Sequence, residues 1–215
     1  MRIRLGTRPS LLALTQIKEI QTRMPDIFFE VIPILTKGDR DKTIPLISRE
    51  KTDFFTHEIE QALLNGEIDI AVHSAKDLED DMPEDLVIAA MTRSISPFDC
   101  FISNRAFTLK ELPPGGRVGT SSRSRKEGVE KYRKDLAVTD IRGNVDERLA
   151  QLDRGDFDAI IVAHAALIRL GLEKRISQII PDTIIKPHPL QGRLAVQIRK
   201  ERADLQELFK KINEE

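Results

Sequence analysis

Hydrophobic positions along this chain switch between two periods. Ile3 and Leu5 stand two apart, and Leu11, Leu12, Leu14, Ile17 and Ile20 then recur at helical spacing. The pattern predicts a strand, a polar turn over residues 6–10 and a helix, with Pro9 in the first helical turn. Val31, Ile32, Ile34 and Leu35 predict a second strand, and Pro33, which cannot donate to a ladder, places it at an edge or bulge. Residues 38–52 are charged and aperiodic, and read as a long mobile loop. Phe54, Phe55, Ile59, Leu63 and Leu64 mark an amphipathic helix stopped by Asn65-Gly66.

The β-branched run Ile70-Ala71-Val72 predicts a buried strand of a parallel sheet, and Leu86–Ala89 another. Composition turns polar over residues 92–97, where a crossing between domains is expected. Strand, turn and helix then return: a strand at Val118, a Lys/Arg-rich helix over residues 123–134, a strand through Leu136, Val138 and Ile141, and a buried strand over 158–163. A short helix with a stop at Gly171 follows. Leu194, Val196 and Ile198 alternate as a further strand, and Leu205, Leu208, Phe209 and Ile212 form a terminal amphipathic helix. Alternating strands and helices indicate an α/β fold. There is no tandem repeat or low-complexity segment.

Composition narrows the chemistry. Lys and Arg number 34 against 35 Asp and Glu, a formal charge of −1, which argues against a broad nucleic-acid surface. Cys100 is the only cysteine, so an internal disulfide and a thiolate zinc site are excluded. The N-terminus lacks the apolar core of a secretion signal and no apolar run is long enough to span a bilayer, so a cytoplasmic protein is expected.

Candidate chemistry collects where apolar runs end. The strand through Val72 runs into His73-Ser74-Ala75-Lys76-Asp77, placing a hydroxyl, an ammonium and a carboxylate at its carboxyl end, where ligands bind in open α/β sheets. Position alone leaves Lys76 and Asp77 equally readable as a surface ion pair. Arg8 and Ser10 flank the start of the first helix, where an anion is welcome; Ser10 as a plain cap fits as well. Gly119-Thr120-Ser121-Ser122 opens the basic helix in the same way, without Walker spacing, and a simple Ser122 cap is the alternative. Arg142 and Arg148 follow another strand, and Arg169 joins them. Arginines at several strand ends of a nearly neutral chain suit a ligand with several carboxylates or phosphates. His164 and His188 have no metal-ligand spacing and are assigned no chemistry.

Six segments carry a resemblance: GTRPS, DIAVHSAKD, VGTSSRSR, IRGNVDERL, DFDAIIVAHAALIRLGL and LQGRLAVQIR. In order and spacing the chain resembles the porphobilinogen deaminases, or hydroxymethylbilane synthases, over nearly its whole length. The resemblance implies two type II periplasmic-binding-protein-like α/β domains with a cleft between them, residues 1–94 plus 188–215 and residues 95–187. It implies a transferase that joins porphobilinogens into a linear tetrapyrrole for porphyrin and heme biosynthesis, releasing ammonia, on a dipyrromethane cofactor. Asp77 would be the catalytic carboxylate with Lys76 beside it. Arg8, Ser10, Ser74, Thr120, Ser121, Ser122, Arg125, Arg142, Arg148 and Arg169 would bind cofactor or substrate carboxylates.

Departures from the family pattern are equally specific. Ser124 replaces the first of two paired arginines, and Thr52 and His57 stand where lysines are usual. The glycine-rich lid becomes REKTDFF, Leu190 replaces a glycine, and Arg193 adds charge beside it. The family anchors its cofactor to a cysteine in a third domain. This chain reads as a short member lacking that domain and anchor, its primer held non-covalently or not at all, Cys100 being a buried structural thiol. A homodimer or partner protein would cover the face left bare. A non-catalytic binding protein for a pyrrole or other polycarboxylate is the alternative reading.

Overall fold

The computed structural model describes residues 1–41, 53–78 and 82–214. They form two compact units, one from the described residues of Met1–Asp41, Lys51–Ile95 and Gly192–Glu215, the other from Ser96–Gln191. The first unit opens with β1 (Arg2–Thr7), α1 (Leu11–Arg23), β2 (Phe28–Pro33) and α2 (Lys37–Arg40). It continues with α3 (His57–Leu64), β3 (Ile70–Ser74) and β4 (Leu86–Met91). The second holds β5 (Asp99–Ser103), β6 (Arg117–Gly119), α4 (Arg123–Tyr132), β7 (Ala137–Thr139), α5 (Val145–Asp153), β8 (Ala159–Ala163), α6 (His164–Leu170) and β9 (Gln178–Ile180). The chain then returns to the first unit as β10 (Leu194–Arg199) and α7 (Ala203–Phe209).

Each unit is built on a five-stranded sheet, in the orders β2-β1-β3-β10-β4 and β7-β6-β8-β5-β9. β1 runs parallel to β2 and β3, and β6 parallel to β7 and β8. In each sheet the fourth strand, β10 or β5, is antiparallel to both neighbours. The units therefore repeat one topology without repeating a sequence.

Central strands explain the apolar runs. In the first sheet Ile70 and Val72 face Leu5, Ile17, Ile20 and Phe209, while Ala71 faces Ile59, Leu63 and Ile68 of the α3 side. β3 is covered on both faces, so it carries no polar alternation until His73 and Ser74. In the second sheet Phe101 packs with Val118, Val129 and Ile161, and Cys100 and Ile102 with Leu149, Val162 and Leu167. Among the described residues no helix is long and apolar enough to cross a membrane.

Several expectations need correction. Pro9 lies outside α1, which starts at Leu11 behind the Ser10 cap. β2 covers Phe28–Pro33 rather than reaching Leu35; it is an edge strand, where the missing N–H of Pro33 is harmless. Residues 37–40 form a helical turn because Asp39 accepts from the Thr36 N–H at 3.2 Å and its hydroxyl at 2.8 Å. The rest of the predicted loop, residues 42–52, lies outside the described residues. β3 is parallel to β1 but antiparallel to β10. β9 has three residues and no period that could announce it.

Candidate functional site

β1 and β3 are parallel neighbours in register Leu5–Ile70 and Gly6–Ala71, so their carboxyl ends fall side by side. The turn after β1 carries Arg8 and Ser10, and the turn after β3 carries Lys76 and Asp77. Between them lies a pocket of about 70 Å³ whose lining includes Arg8, Ser10, Ser74 and Asp77. Lys76 occupies the same turn as Asp77 but is not part of the lining. Thr7, Gln16, Phe55 and His73, not singled out from the sequence, line it too.

Local bonds hold this wall. The Ser10 hydroxyl accepts from the Ala13 N–H at 3.2 Å, so the cap reading describes its present bond. Gln16 Nε2 donates to Ser74 Oγ at 2.8 Å, tying α1 to the end of β3. Arg8 is paired with Asp39 and lies over the Phe55 ring, 4.4 Å from its centroid. Burial pushes the Asp39 carboxyl up, but hydrogen bonds and charge from Arg8, with bonds from Thr36, outweigh it and hold the group below its usual range. His73 is buried; Gln197 accepts from its Nε2 at 3.1 Å, and burial lowers the ring pKa to about 4 against the opposing pull of Gln197 and Asp77. Thr7 is 1% exposed and its Oγ1 has no hydrogen-bond partner among the described residues.

The second unit gathers its residues at the carboxyl ends of β6 and β7, again parallel neighbours. Ser121 Oγ donates to the Ile141 carbonyl, which fastens the Thr120–Ser122 turn to the start of Arg142-Gly143. Ser122 caps α4, accepting from the Arg125 N–H, and its N–H donates to Thr120 Oγ1 at 3.3 Å. Asn144 and Glu147 form a capping box on α5, and Arg148 Nε donates to the Gly143 carbonyl at 2.8 Å. Gly143 sits at φ +105°, where an added Cβ would meet Glu147 Oε2 at 2.7 Å. Arg142 and Arg148 are half-buried beside this turn, and Arg169 lies in the last turn of α6.

Arg125 differs from the other arginines. Its side chain is 9% exposed and donates from Nη2 to Asp99 Oδ1 at 2.7 Å; Asp99 is 5% exposed. Gln191 Nε2 donates to the same carboxylate oxygen at 2.8 Å and to the Pro97 carbonyl at 2.7 Å. This guanidinium braces α4 against β5 and the 191 turn. The neighbouring Cys100 is fully buried, and burial followed by the Asp99 charge, against Arg125, raises its thiol to about 12, so it is a packing residue and no nucleophile. His164 Nδ1 meets Ser96 Oγ at 3.0 Å, and His188 Nδ1 accepts from the Leu190 N–H at 3.2 Å.

Residues 3–207 match the family "Porphobilinogen deaminase, dipyromethane cofactor binding domain". This chain belongs to the porphobilinogen deaminase family. The porphobilinogen deaminase of Natranaerobius thermophilus is 42% identical over 212 residues, covering 96% of this chain and 68% of that protein. That of Neisseria meningitidis is 41% identical over 215 residues, covering 97% and 68%, and that of Thermus thermophilus 45% over 199, covering 91% and 64%. Two solved structures share the fold at low identity. The VFT2 domain of Bordetella pertussis BvgS superposes with a TM-score of 0.55 at 14% identity, covering 98% of this chain and 86% of that one. The probable amino-acid ABC transporter extracellular-binding protein YtmK of Bacillus subtilis gives 0.53 at 15%, covering 99% and 90%. The type II periplasmic-binding-protein class expected from the sequence is therefore the fold of this porphobilinogen deaminase family member.

The matched family domain is the one that binds dipyrromethane, and the residues present suit such a group. Thr7 Oγ1 is a buried hydroxyl with no polar partner among the described residues, in the same pocket lining as the cationic Arg8. An acidic pyrrole side chain supplies both a carboxylate and acceptor oxygens.

Proposed function

We propose that this chain acts as a hydroxymethylbilane synthase, joining porphobilinogen units head to tail with release of ammonia. The observation that carries the reading is the Asp77 carboxylate in one pocket with Arg8, at the adjoining ends of β1 and β3. In each condensation the aminomethyl C–N bond breaks, its electron pair leaving with ammonia, and the electron-poor carbon bonds to the free α-carbon of the next pyrrole, which loses a proton. Positive charge develops on the pyrrole nitrogen as ammonia leaves. Asp77 stabilises that charge as an ionised carboxylate placed in advance. Arg8 with Ser10 and Ser74 in one unit, and Arg142, Arg148 and Arg169 with the Thr120–Ser122 turn in the other, bind acetate and propionate groups. Arg125 supports the second set from behind through Asp99.

A dipyrromethane group, when bound, supplies the pyrrole to which the first porphobilinogen is added. What this chain's residues offer it is non-covalent: Thr7, Ser10 and Arg8 as polar contacts, since Cys100 is buried and protonated. The test is incubation with porphobilinogen, with and without added primer, followed by acid oxidation and a porphyrin spectrum. Asp77→Asn is expected to lower turnover about 1,000-fold while acidic ligands still bind. Arg142→Ala is expected to weaken their binding about tenfold. Unchanged turnover in Asp77→Asn would overturn the assignment.

A further inference from the structure

The mechanism above leaves His73 unused, although it lines the pocket with Asp77 and Arg8. Its ring is the end of a buried polar chain. Glu60 on α3, 7% exposed, accepts from Gln197 Nε2 at 2.9 Å, and Gln197, fully buried in β10, turns its Oε1 to His73 Nε2 at 3.1 Å. Each link is fixed by the previous one. A carboxylate only accepts, so the amide must present its NH₂ to Glu60 and its oxygen to His73. An amide oxygen only accepts, so Nε2 must carry the imidazole proton. In a neutral ring the other nitrogen then has a lone pair. Among the described residues Nδ1 has no hydrogen-bond partner.

We infer that the Glu60–Gln197–His73 chain fixes His73 as the Nε2–H tautomer so that Nδ1 accepts a hydrogen bond from an N–H of the pyrrole ligand beside Asp77. His73 is thus a positioning residue for the substrate, resting on the functional reading above. The chemistry complements that of the arginines: guanidinium groups recognise the carboxylates, and a neutral acceptor recognises the N–H edge without adding a second negative charge next to Asp77. The charged groups around the ring are Asp77 and Arg8 in the pocket lining and Glu60 through Gln197. Protonation would replace the lone pair by a donor, and burial of the ring opposes it.

The test has two arms. Nitrogen-15 NMR of the labelled imidazole reports the tautomer directly in the free protein, and the Nε2–H form is expected. Titrating porphobilinogen into Asp77→Asn, which holds the ligand without consuming it, should shift the Nδ1 resonance. In the second arm His73→Gln retains a polar group near Nε2 and loses the acceptor at Nδ1, whereas His73→Asn does the reverse. His73→Gln should raise KM for porphobilinogen about tenfold with kcat changed less, and His73→Asn should raise it less than His73→Gln. An Nδ1–H tautomer, a silent Nδ1 resonance in a ligand-bound protein, or the opposite ranking of the two variants overturns the inference. If the wild type neither binds nor turns over porphobilinogen, the functional reading fails and the ligand role of Nδ1 fails with it; the tautomer then shows whether the relay itself survives.

Discussion

Arg8 and Asp39 are held face to face at the rim of the pocket, Asp39 receiving Nε at 3.2 Å and Nη2 of the same guanidinium, with side chains 23% and 7% exposed. Asp39 also takes both donors of Thr36, so one carboxylate caps α2 and aims the arginine. A planar cation held this way loses little rotamer freedom when a ligand carboxylate binds it. Asp39→Asn should therefore cost about 2 kcal/mol of stability at neutral pH, discounted for the partial exposure of Arg8, and raise KM more than it lowers kcat. The sign with pH is fixed by the depressed Asp39 pKa: its contribution is fully present above the ordinary carboxylate value and disappears as pH falls through the lower folded value. Urea midpoints of wild type and Asp39→Asn should converge in acid; a constant gap would show that the charge of Asp39 is not what stabilises the pair.

Phe55 can lie on Arg8 only because residue 38 is glycine. A Cβ built there stands 2.1 Å from Phe55 Cε1 and 2.4 Å from Cδ1, so Gly38→Ala must push the ring aside. The ring is also edge-on to Phe54, 5.6 Å between centroids, which restricts its retreat. The expected loss is about 1 to 3 kcal/mol, with KM rising because Arg8 loses its aromatic platform. Denaturant unfolding combined with steady-state kinetics checks both; an unaltered KM would mean that Phe55 serves packing alone.

Strand ends were legible because β3 and β8 are buried on both faces, and an uninterrupted apolar run that stops at polar residues marks the sheet's carboxyl edge. Arg8, Ser10, Ser74 and Asp77 could be named on that ground, and the structure gathers all four around one pocket. Asp39 was missed because the aperiodic charge after Leu35 masked a one-turn helix, although a threonine three residues before an aspartate is a capping signal. His73, Gln197 and Glu60 come from three different elements, Gln197 lying 124 residues from His73 and 137 from Glu60, and no local period announces that buried polar side chains will meet. Arg125 shows the same limit from the other side: its neighbourhood reads as an anion-binding helix start, whereas its guanidinium turns inward to Asp99, a residue from another strand.

That inward turn predicts a stability phenotype. Arg125→Ala removes the cation from a pair whose members are both more than nine-tenths buried and leaves Asp99, among the described residues, only Gln191 as a donor side chain. The expected loss is about 3 to 5 kcal/mol. The double variant Asp99→Asn/Arg125→Met, which removes both charges and restores the volume, should recover most of it. A purely ligand-binding arginine would behave otherwise: Arg125→Ala would keep its unfolding midpoint and lose only affinity.

His73 supplies the last expectation, one that holds whatever the ligand. Its folded pKa of about 4 lies below the value near 6.5 of an unfolded imidazole, so between these pH values the unfolded chain binds a proton that the native chain refuses. Stability must therefore fall as pH drops from about 6.5 towards 4, by on the order of 3 kcal/mol from this ring alone. Asp77 and Gln197 reduce that penalty by favouring the charged ring, but burial is the larger influence. Replacing the ring by His73→Gln preserves a bond to Gln197 and removes the titration, so the variant should lose less stability than wild type over the same interval. Urea unfolding of both proteins at pH 7 and pH 5 measures the difference; parallel acid profiles would show that the native ring takes up its proton at the same pH as the unfolded chain, so that burial does not hold it neutral.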